Sequence, residues 1–166
     1  MFLKKSVQDI MIPIENYTTT SIGKSLKEAI LDMRKVYCEV ETGKCTEAGH
    51  RNSLVINEFG HLAGVLDFPT ILKALLPNIA EEVSDKLTAH GKSSFMERVI
   101  KNAEVIVSDV MREIKGSLRA DDSLLEGVRA MYKNRATVLP VYQGSTLVGV
   151  LRDSDLFLAV ASVFTD

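Results

Sequence analysis

The strongest constraint in this sequence is an internal repeat, because three short segments of its first half recur in the same order in its second half. The matching pairs are VQDIM at 7–11 and VSDVM at 107–111, SLKEAI at 25–30 and SLLEGV at 123–128, and GVL at 64–66 and 149–151. The number of residues from a segment to its match in the second copy falls from the first pair to the third. This decrease indicates that the first copy contains an insertion. Two related units are therefore expected, each burying an apolar face against a neighbour.

Both copies contain a predicted helix with a clear start. Ser25 and Glu28 in the first copy, and Ser123 and Glu126 in the second, have the spacing of a capping box. Apolar residues follow at helical spacing, which predicts one buried stripe on each helix. These stripes are Leu26, Ile30 and Met33 in the first copy, and Leu124, Val128 and Met131 in the second.

After this helix, each copy contains a predicted hairpin and a second helix. Strand-forming runs flank Gly60 and Gly144, which supply the turns. In the first copy, Pro69 suits the opening turn of the second helix. With a strand or extended lead-in before the capped helix, the fold class is α/β (α+β), built from two β-α-β-β-α repeats.

The repeats set the domain boundaries. The predicted parts are repeat one at 6–76 with an insertion at 36–50, a helical connector at 77–105, and repeat two at 106–164. Within the connector, Gly91 is expected to end one helix and Ser94 to begin another. A single repeat buries too little surface to be stable alone, so the two are expected to share one core.

Charge and apolar content exclude several classes of function. The formal net charge is −2, which gives no general attraction to nucleic acid or to an anionic membrane. The longest apolar segment, Leu156–Phe164, is too short to span a bilayer. The start of the chain lacks the apolar core of a signal peptide, so the cytoplasm is the expected location. The catalytic motifs GxSxG and HExxH do not occur, so the protein is not expected to be an enzyme.

The insertion holds the only candidate metal ligands. Cys38, Cys45 and His50 lie close together in the sequence, and these side chains are the types that bind zinc. The spacing between the cysteines is longer than in structural zinc sites, and a fourth ligand is unclear. The prediction is therefore no metal, with two free thiols or a reversible disulfide as the alternatives.

The repeated residues resemble the CBS domain, the module named after cystathionine β-synthase, which usually occurs in tandem pairs. The resemblance rests on the VQDIM and VSDVM lead-ins, the capped helices, LPVY at 139–142, and GVL followed by a polar turn and a helix. It implies two repeats packed with pseudo-twofold symmetry. It also implies two clefts between them that bind adenine nucleotides or other adenosyl compounds, and a homodimer.

The family's ligand signature is Gly, two apolar residues, Thr or Ser, two further residues, and Asp, and the second repeat matches it in part. In the family, the Asp accepts hydrogen bonds from the ribose hydroxyls and the hydroxyl residue meets phosphate. Here Asp155 has the ribose position, and Arg152 replaces the hydroxyl residue as a potential phosphate partner. The resemblance assigns this second cleft the residues Lys115, Ser117, Leu118, Leu139, Pro140, Val141, Arg152, Asp153 and Asp155.

The first repeat departs from the signature at two positions. Asp67 stands where the hydroxyl residue is expected and would repel phosphate, and Thr70 replaces the ribose carboxylate. A second interpretation of Asp67 is that it caps the helix containing Pro69. The weaker first cleft would comprise Tyr17, Thr18, Thr19, Val55, Ile56, Asp67 and Thr70.

The resemblance implies a regulatory module that requires no cofactor for chemistry. The expected ligands are AMP, ADP, ATP or S-adenosylmethionine, and an effector protein would read the bound state. The alternative is a ligand-independent dimerisation or protein-docking module.

Overall fold

The computed structural model describes residues 4–37, 51–77 and 89–165. It divides the chain into two compact units. The first-repeat unit comprises Thr18–Glu113, and the second-repeat unit comprises the residues up to Tyr17 together with those from Ile114 onward.

The first-repeat unit contains a three-stranded sheet. Its strands are β2 (Thr19–Ser21), β3 (Asn52–Ile56) and β4 (Leu62–Asp67), in the order β2-β3-β4. Strand β2 runs parallel to β3, and β3 and β4 form an antiparallel hairpin. The helices are α1 (Leu26–Tyr37), α2 (Phe68–Leu75), α3 (Ala89–Asn102) and α4 (Val107–Val110). The core joins the sheet to α1, α2 and α4, and contains Leu26, Ala29, Met33, Val55, Leu66, Ile71 and Val107.

The second-repeat unit repeats this plan with one more strand. Its strands are β1 (Ile12–Pro13), β5 (Leu118–Arg119), β6 (Val138–Gln143) and β7 (Thr146–Arg152), in the order β1-β7-β6-β5. Its helices are α5 (Leu124–Asn134) and α6 (Asp153–Ala161), with 3-10 turns at Val7–Asp9, Ile14–Asn16 and Ser162–Phe164. Its core contains Val7, Leu118, Ala120, Leu124, Met131, Leu139, Val141, Leu151 and Leu156.

The lead-in of each repeat belongs to the compact unit of the other repeat. Val7 lies in the core around Leu124, and its backbone N–H donates to the Asp122 carbonyl at 2.8 Å. Val107 lies in the core around Leu26, and its backbone N–H donates to the Lys24 carbonyl at 2.9 Å. Each compact unit therefore combines one lead-in with the sheet and helices that follow the other lead-in in sequence.

The β-α-β-β-α order is confirmed in both units, as β2-α1-β3-β4-α2 and β5-α5-β6-β7-α6. The VQDIM and VSDVM segments begin with the Val7–Asp9 turn and with α4, and the strands β2 and β5 follow further along the chain. The predicted break at Gly91 and Ser94 is wrong, because α3 continues through both residues. A helix tolerates an interior glycine at a cost of about 1 kcal/mol.

None of the helices in the described part of the chain is both long enough and apolar enough to cross a membrane.

Candidate functional site

The start of α6 brings together the two residues that the sequence predicts as ligand contacts. Arg152 is the last residue of β7 and the N-cap of α6, and Asp155 is in the first turn. The guanidinium donates from Nε to Oδ2 at 3.0 Å and from Nη2 to Oδ1 at 2.7 Å, and the Arg152 backbone N–H donates to Oδ2 at 3.0 Å. The two groups therefore form a bidentate ion pair with one another.

This ion pair is partly shielded from solvent. The Asp155 side chain is 10% exposed and the Arg152 side chain 31% exposed. Hydrogen bonding to Asp155 raises the pKa of Arg152 above its ordinary value. Partial burial opposes this shift, and the negative charges of Asp155 and Asp153 reinforce it. Arg152 is therefore a permanent cation at a helix N-terminus, where anions are also favoured by the helix dipole.

The equivalent position in the first-repeat unit has the opposite charge. Asp67 is the N-cap of α2, and its carboxylate accepts a hydrogen bond from the Thr70 backbone N–H at 3.0 Å and another from the Thr70 hydroxyl. The interpretation of Asp67 as a helix cap is thus confirmed, and so is the place of Pro69 in the opening turn. Thr70, predicted to face the ribose, donates its hydroxyl to this cap.

Arg112 is a residue of this region that the sequence reasoning missed. Its guanidinium donates to Asp67 Oδ2 from Nε at 2.8 Å and from Nη2 at 2.6 Å. Burial raises the pKa of Asp67, but the bonds from the Thr70 hydroxyl and backbone and from Arg112 outweigh it, so the net pKa lies below its ordinary value. The repeat could have drawn attention to Arg112, because Arg112 follows VSDVM at the position where the apolar Ile12 follows VQDIM.

The lead-ins also explain the glycine of the signature. The Arg112 backbone exchanges two hydrogen bonds with Val65, each 2.9 Å long. A Cβ on Gly64 would lie 2.6 Å from the Arg112 carbonyl oxygen, and a Cβ on Gly149 would lie 2.8 Å from the Ile12 carbonyl oxygen. Only glycine allows the lead-in backbone to approach so closely.

The remaining residues predicted for the second cleft fall into two groups. Lys115, Ser117 and Asp153 are exposed, near or at the start of a strand or helix. The others are buried strand residues: Leu118 on β5, and Leu139, Pro140 and Val141 on β6. Leu118, Leu139 and Val141 belong to the core, so their side chains serve packing.

The residues predicted for the first cleft do not all lie in one unit. Thr18, Thr19, Val55 and Ile56 belong to the first-repeat unit, and Val55 is a core residue. Tyr17 belongs to the second-repeat unit, near Arg152. The chain passes between units at Tyr17, and this crossing has no signature in the local sequence.

Two buried hydroxyls distinguish the first-repeat unit from the second. Thr20 Oγ1 and Ser53 Oγ have no hydrogen-bond partner among the described residues, although both side chains are buried. By strand register, the equivalent residues of the second-repeat unit are Leu118 and Leu139, both core residues. The two units therefore differ in polarity within the sheet as well as at the helix start.

No group of three or more His, Cys, Asp and Glu side chains within 4–37, 51–77 and 89–165 is arranged to hold a metal ion. Cys38, Cys45 and His50 lie outside the described residues.

A family model of the CBS domain matches residues 107–162. No curated protein matches the sequence. Among solved structures, the chain is similar to the CBS domain of a CBS domain containing membrane protein from Sphaerobacter thermophilus. That match has a TM-score of 0.68 and 19% identity, covering 95% of this chain and 89% of that one.

Two further structures give similar matches. A CBS domain-containing protein from Kribbella flavida has a TM-score of 0.68 and 17% identity, covering 95% of this chain and 99% of that one. CBSX2, whose structure is a complex with AMP, has a TM-score of 0.61 and 19% identity, covering 96% of this chain and 98% of that one. At this identity the matches establish the fold, over nearly the whole chain.

Proposed function

We propose that the protein is a regulatory module that binds an adenine nucleotide or another adenosyl ligand. The proposal starts from the CBS-domain match over residues 107–162 and from a fold similar to that of solved CBS-domain proteins. The proposed binding residues are those at the start of α6, with Asp155 toward the ribose and Arg152 toward phosphate. The protein would act by binding, without catalysing a reaction.

The observation that carries this proposal is the pairing of a shielded carboxylate with a cation at one helix start. Asp155 supplies acceptors for ribose hydroxyls, and Arg152 supplies donors that match a phosphate group. The AMP bound by CBSX2, a protein of the same fold, supports an adenosyl ligand of this class.

We propose one ligand per chain, because the first-repeat unit is differently equipped. Asp67 places a carboxylate at the position that Arg152 has in the other unit. Thr70 and Arg112 donate hydrogen bonds to that carboxylate. Phosphate would meet negative charge there, whereas the second-repeat unit offers a cation. The sites assigned to the two repeats are thus expected to differ strongly in affinity for a nucleotide.

A sensor of this kind works only if the ligand binds one conformation of the protein more tightly than another. The proposed readers of that difference are an effector protein and the second chain of a homodimer. The proposed location is the cytoplasm, where adenine nucleotides are abundant.

Calorimetric titration of nucleotide-free protein with AMP, ADP, ATP and S-adenosylmethionine tests the proposal. We expect at least one of them to bind, and Asp155→Asn to weaken that binding by about tenfold or more, because hydrogen bonds to charged groups are strong. Asp121→Asn is the control, since this exposed carboxylate of the same unit is not among the proposed binding residues. Absence of binding by all four ligands would overturn the proposal.

A ligand-independent docking or dimerisation role is the second candidate, and exposed apolar side chains favour it. Tyr132 on α5 is 89% exposed, and Phe157 on α6 and Phe164 just after it are 68% and 86% exposed. Aromatic side chains are enriched at protein interfaces relative to the rest of the surface. Sedimentation of the wild type and of Tyr132→Ser, each with and without AMP, measures the oligomeric state and separates the two candidates. A dimer whose formation does not depend on AMP supports the docking role alone.

A further inference from the structure

The ion pair at the start of α6 occupies the same carboxylate that a ribose would use. A carboxylate has about four acceptor positions, and Arg152 already fills three of those of Asp155, two from its side chain and one from its backbone. A ribose diol needs two positions. At least one guanidinium bond must therefore be released when a nucleoside binds.

From this geometry we propose that the ion pair between Arg152 and Asp155 is a latch that makes the site selective for adenosyl ligands carrying a phosphate. The inference rests on the proposed function and specifies its ligand class. AMP, ADP and ATP belong to that class, whereas adenosine and S-adenosylmethionine do not.

The selectivity follows from what happens to the released guanidinium. Arg152 is only 31% exposed, so water replaces a lost carboxylate partner incompletely. A ligand with phosphate offers a new anionic partner of the correct bidentate geometry. A ligand without phosphate leaves the cation poorly paired, and that cost is subtracted from its affinity.

The backbone allows this exchange without a change of fold. The bond from the Arg152 backbone N–H to Asp155 holds the carboxylate at the helix start whether or not the guanidinium is present. The guanidinium is at the end of a flexible side chain, and its release requires only new side-chain torsions. The latch is therefore a property of one side chain.

Among its described residues, the first-repeat unit has no counterpart to this latch. Its helix-start residue Asp67 is an anion, and its cation Arg112 comes from a distant part of the chain. Among the described residues, only the second-repeat unit therefore has a guanidinium at the helix start that could exchange its carboxylate partner for a ligand phosphate.

The test compares the affinities of AMP and adenosine by calorimetry in the full chain. For the wild type we expect AMP to bind about tenfold or more tightly than adenosine, the usual value of a charge-assisted hydrogen bond. Arg152→Met keeps the side-chain volume and removes the charge, so adenosine should bind more tightly, AMP more weakly, and the ratio should approach one. Arg152→Lys should give an intermediate ratio, because lysine keeps the charge but not the bidentate fork.

Arg129→Met is the matched control. Arg129 also forms an ion pair three residues away, with Glu126 at 3.3 Å, but its side chain is 75% exposed and on α5. Its substitution should leave both affinities unchanged. Circular dichroism of each variant verifies that it is folded before titration.

The outcomes separate this inference from the proposed function. Equal binding of AMP and adenosine by the wild type, or an unchanged ratio in Arg152→Met, overturns the latch and leaves nucleotide binding standing. If neither AMP nor adenosine binds, the latch is overturned, and the proposed function is overturned as well only if ADP, ATP and S-adenosylmethionine also fail to bind.

Discussion

Replacing Asp67 by alanine tests the interpretation of the first-repeat unit, because that carboxylate has several partners at once. The change removes the N-cap acceptor of α2, which is typically worth about 1 kcal/mol. It also removes the bond to Arg112, whose side chain is half exposed, so this pair adds only about 0.5–1 kcal/mol. We therefore expect Asp67→Ala to lower the free energy of unfolding by about 2 kcal/mol.

Asp67→Asn separates the two contributions, since asparagine caps helices as well as aspartate does. It should cost about half as much, through the weakened pair with Arg112 and the changed bond to Thr70. Urea unfolding followed by circular dichroism at 222 nm measures both variants. Glu104→Ala, which removes an exposed carboxylate of the same unit, should change stability by less than about 0.5 kcal/mol.

The pH dependence provides a second readout of the same carboxylate. Because the pKa of Asp67 is lowered in the folded protein, its contribution is fully present above the ordinary value of 3.8 and is lost as the pH falls through the lower folded-state pKa. The stability difference between wild type and Asp67→Asn should therefore shrink below pH 3.8. A cost of Asp67→Ala no larger than that of the Glu104 control would refute the reasoning.

Two further substitutions test the backbone geometry by the same unfolding assay. Arg135 ends α5 in the left-handed conformation with φ 49°, so Arg135→Gly should stabilise the chain by about 0.5–1 kcal/mol, and a loss of stability would contradict this. Gly149→Ala should destabilise it by about 2 kcal/mol or more, because the new Cβ would lie 2.5 Å from Met11 Sδ. Gly23→Ala, with nothing within 4 Å of its Cβ, is the matched control, and equal costs at the two glycines would contradict the close approach.

The sequence predicts the order of elements well because that order follows from short-range chemistry. Ser25 and Glu28 form the predicted capping box, with the Ser25 backbone N–H donating to the Glu28 carboxylate at 2.8 Å and the Glu28 backbone N–H donating to the Ser25 hydroxyl at 3.2 Å. Gly60 and Gly144 have the positive φ values, 77° and 62°, that the predicted turns require. Each of these features involves residues only a few positions apart.

Helical spacing alone predicted the buried faces less accurately. Leu124 and Met131 are buried as expected, but Val128 is 41% exposed. The reason is that Gly127 approaches the sheet and α6 instead: a Cβ there would lie 3.1 Å from Leu151 Cδ2 and 3.4 Å from Leu156 Cδ2. A glycine in the stripe does not contribute to an apolar pattern, so its role at the contact was not predictable.

The signature singles out Asp155 and Arg152, but the partners that these two side chains have in the structure could not be predicted from it. The signature located Asp155 and Arg152, yet it assigned both to a ligand and gave no indication that they pair with each other. It likewise could not connect Asp67 with Arg112, which are 45 positions apart in sequence and meet only because the second lead-in lies in the first-repeat unit. Long-range exchange of this kind has no local pattern.

The central claim is that one site per chain, at the start of α6, binds an adenine nucleotide. Native mass spectrometry of nucleotide-free protein with AMP counts bound ligands on each chain directly. The account predicts one AMP per wild-type chain and a strongly reduced fraction bound in Asp155→Asn. No bound AMP, two AMP per chain of equal affinity, or one AMP that is unaffected by Asp155→Asn would contradict it.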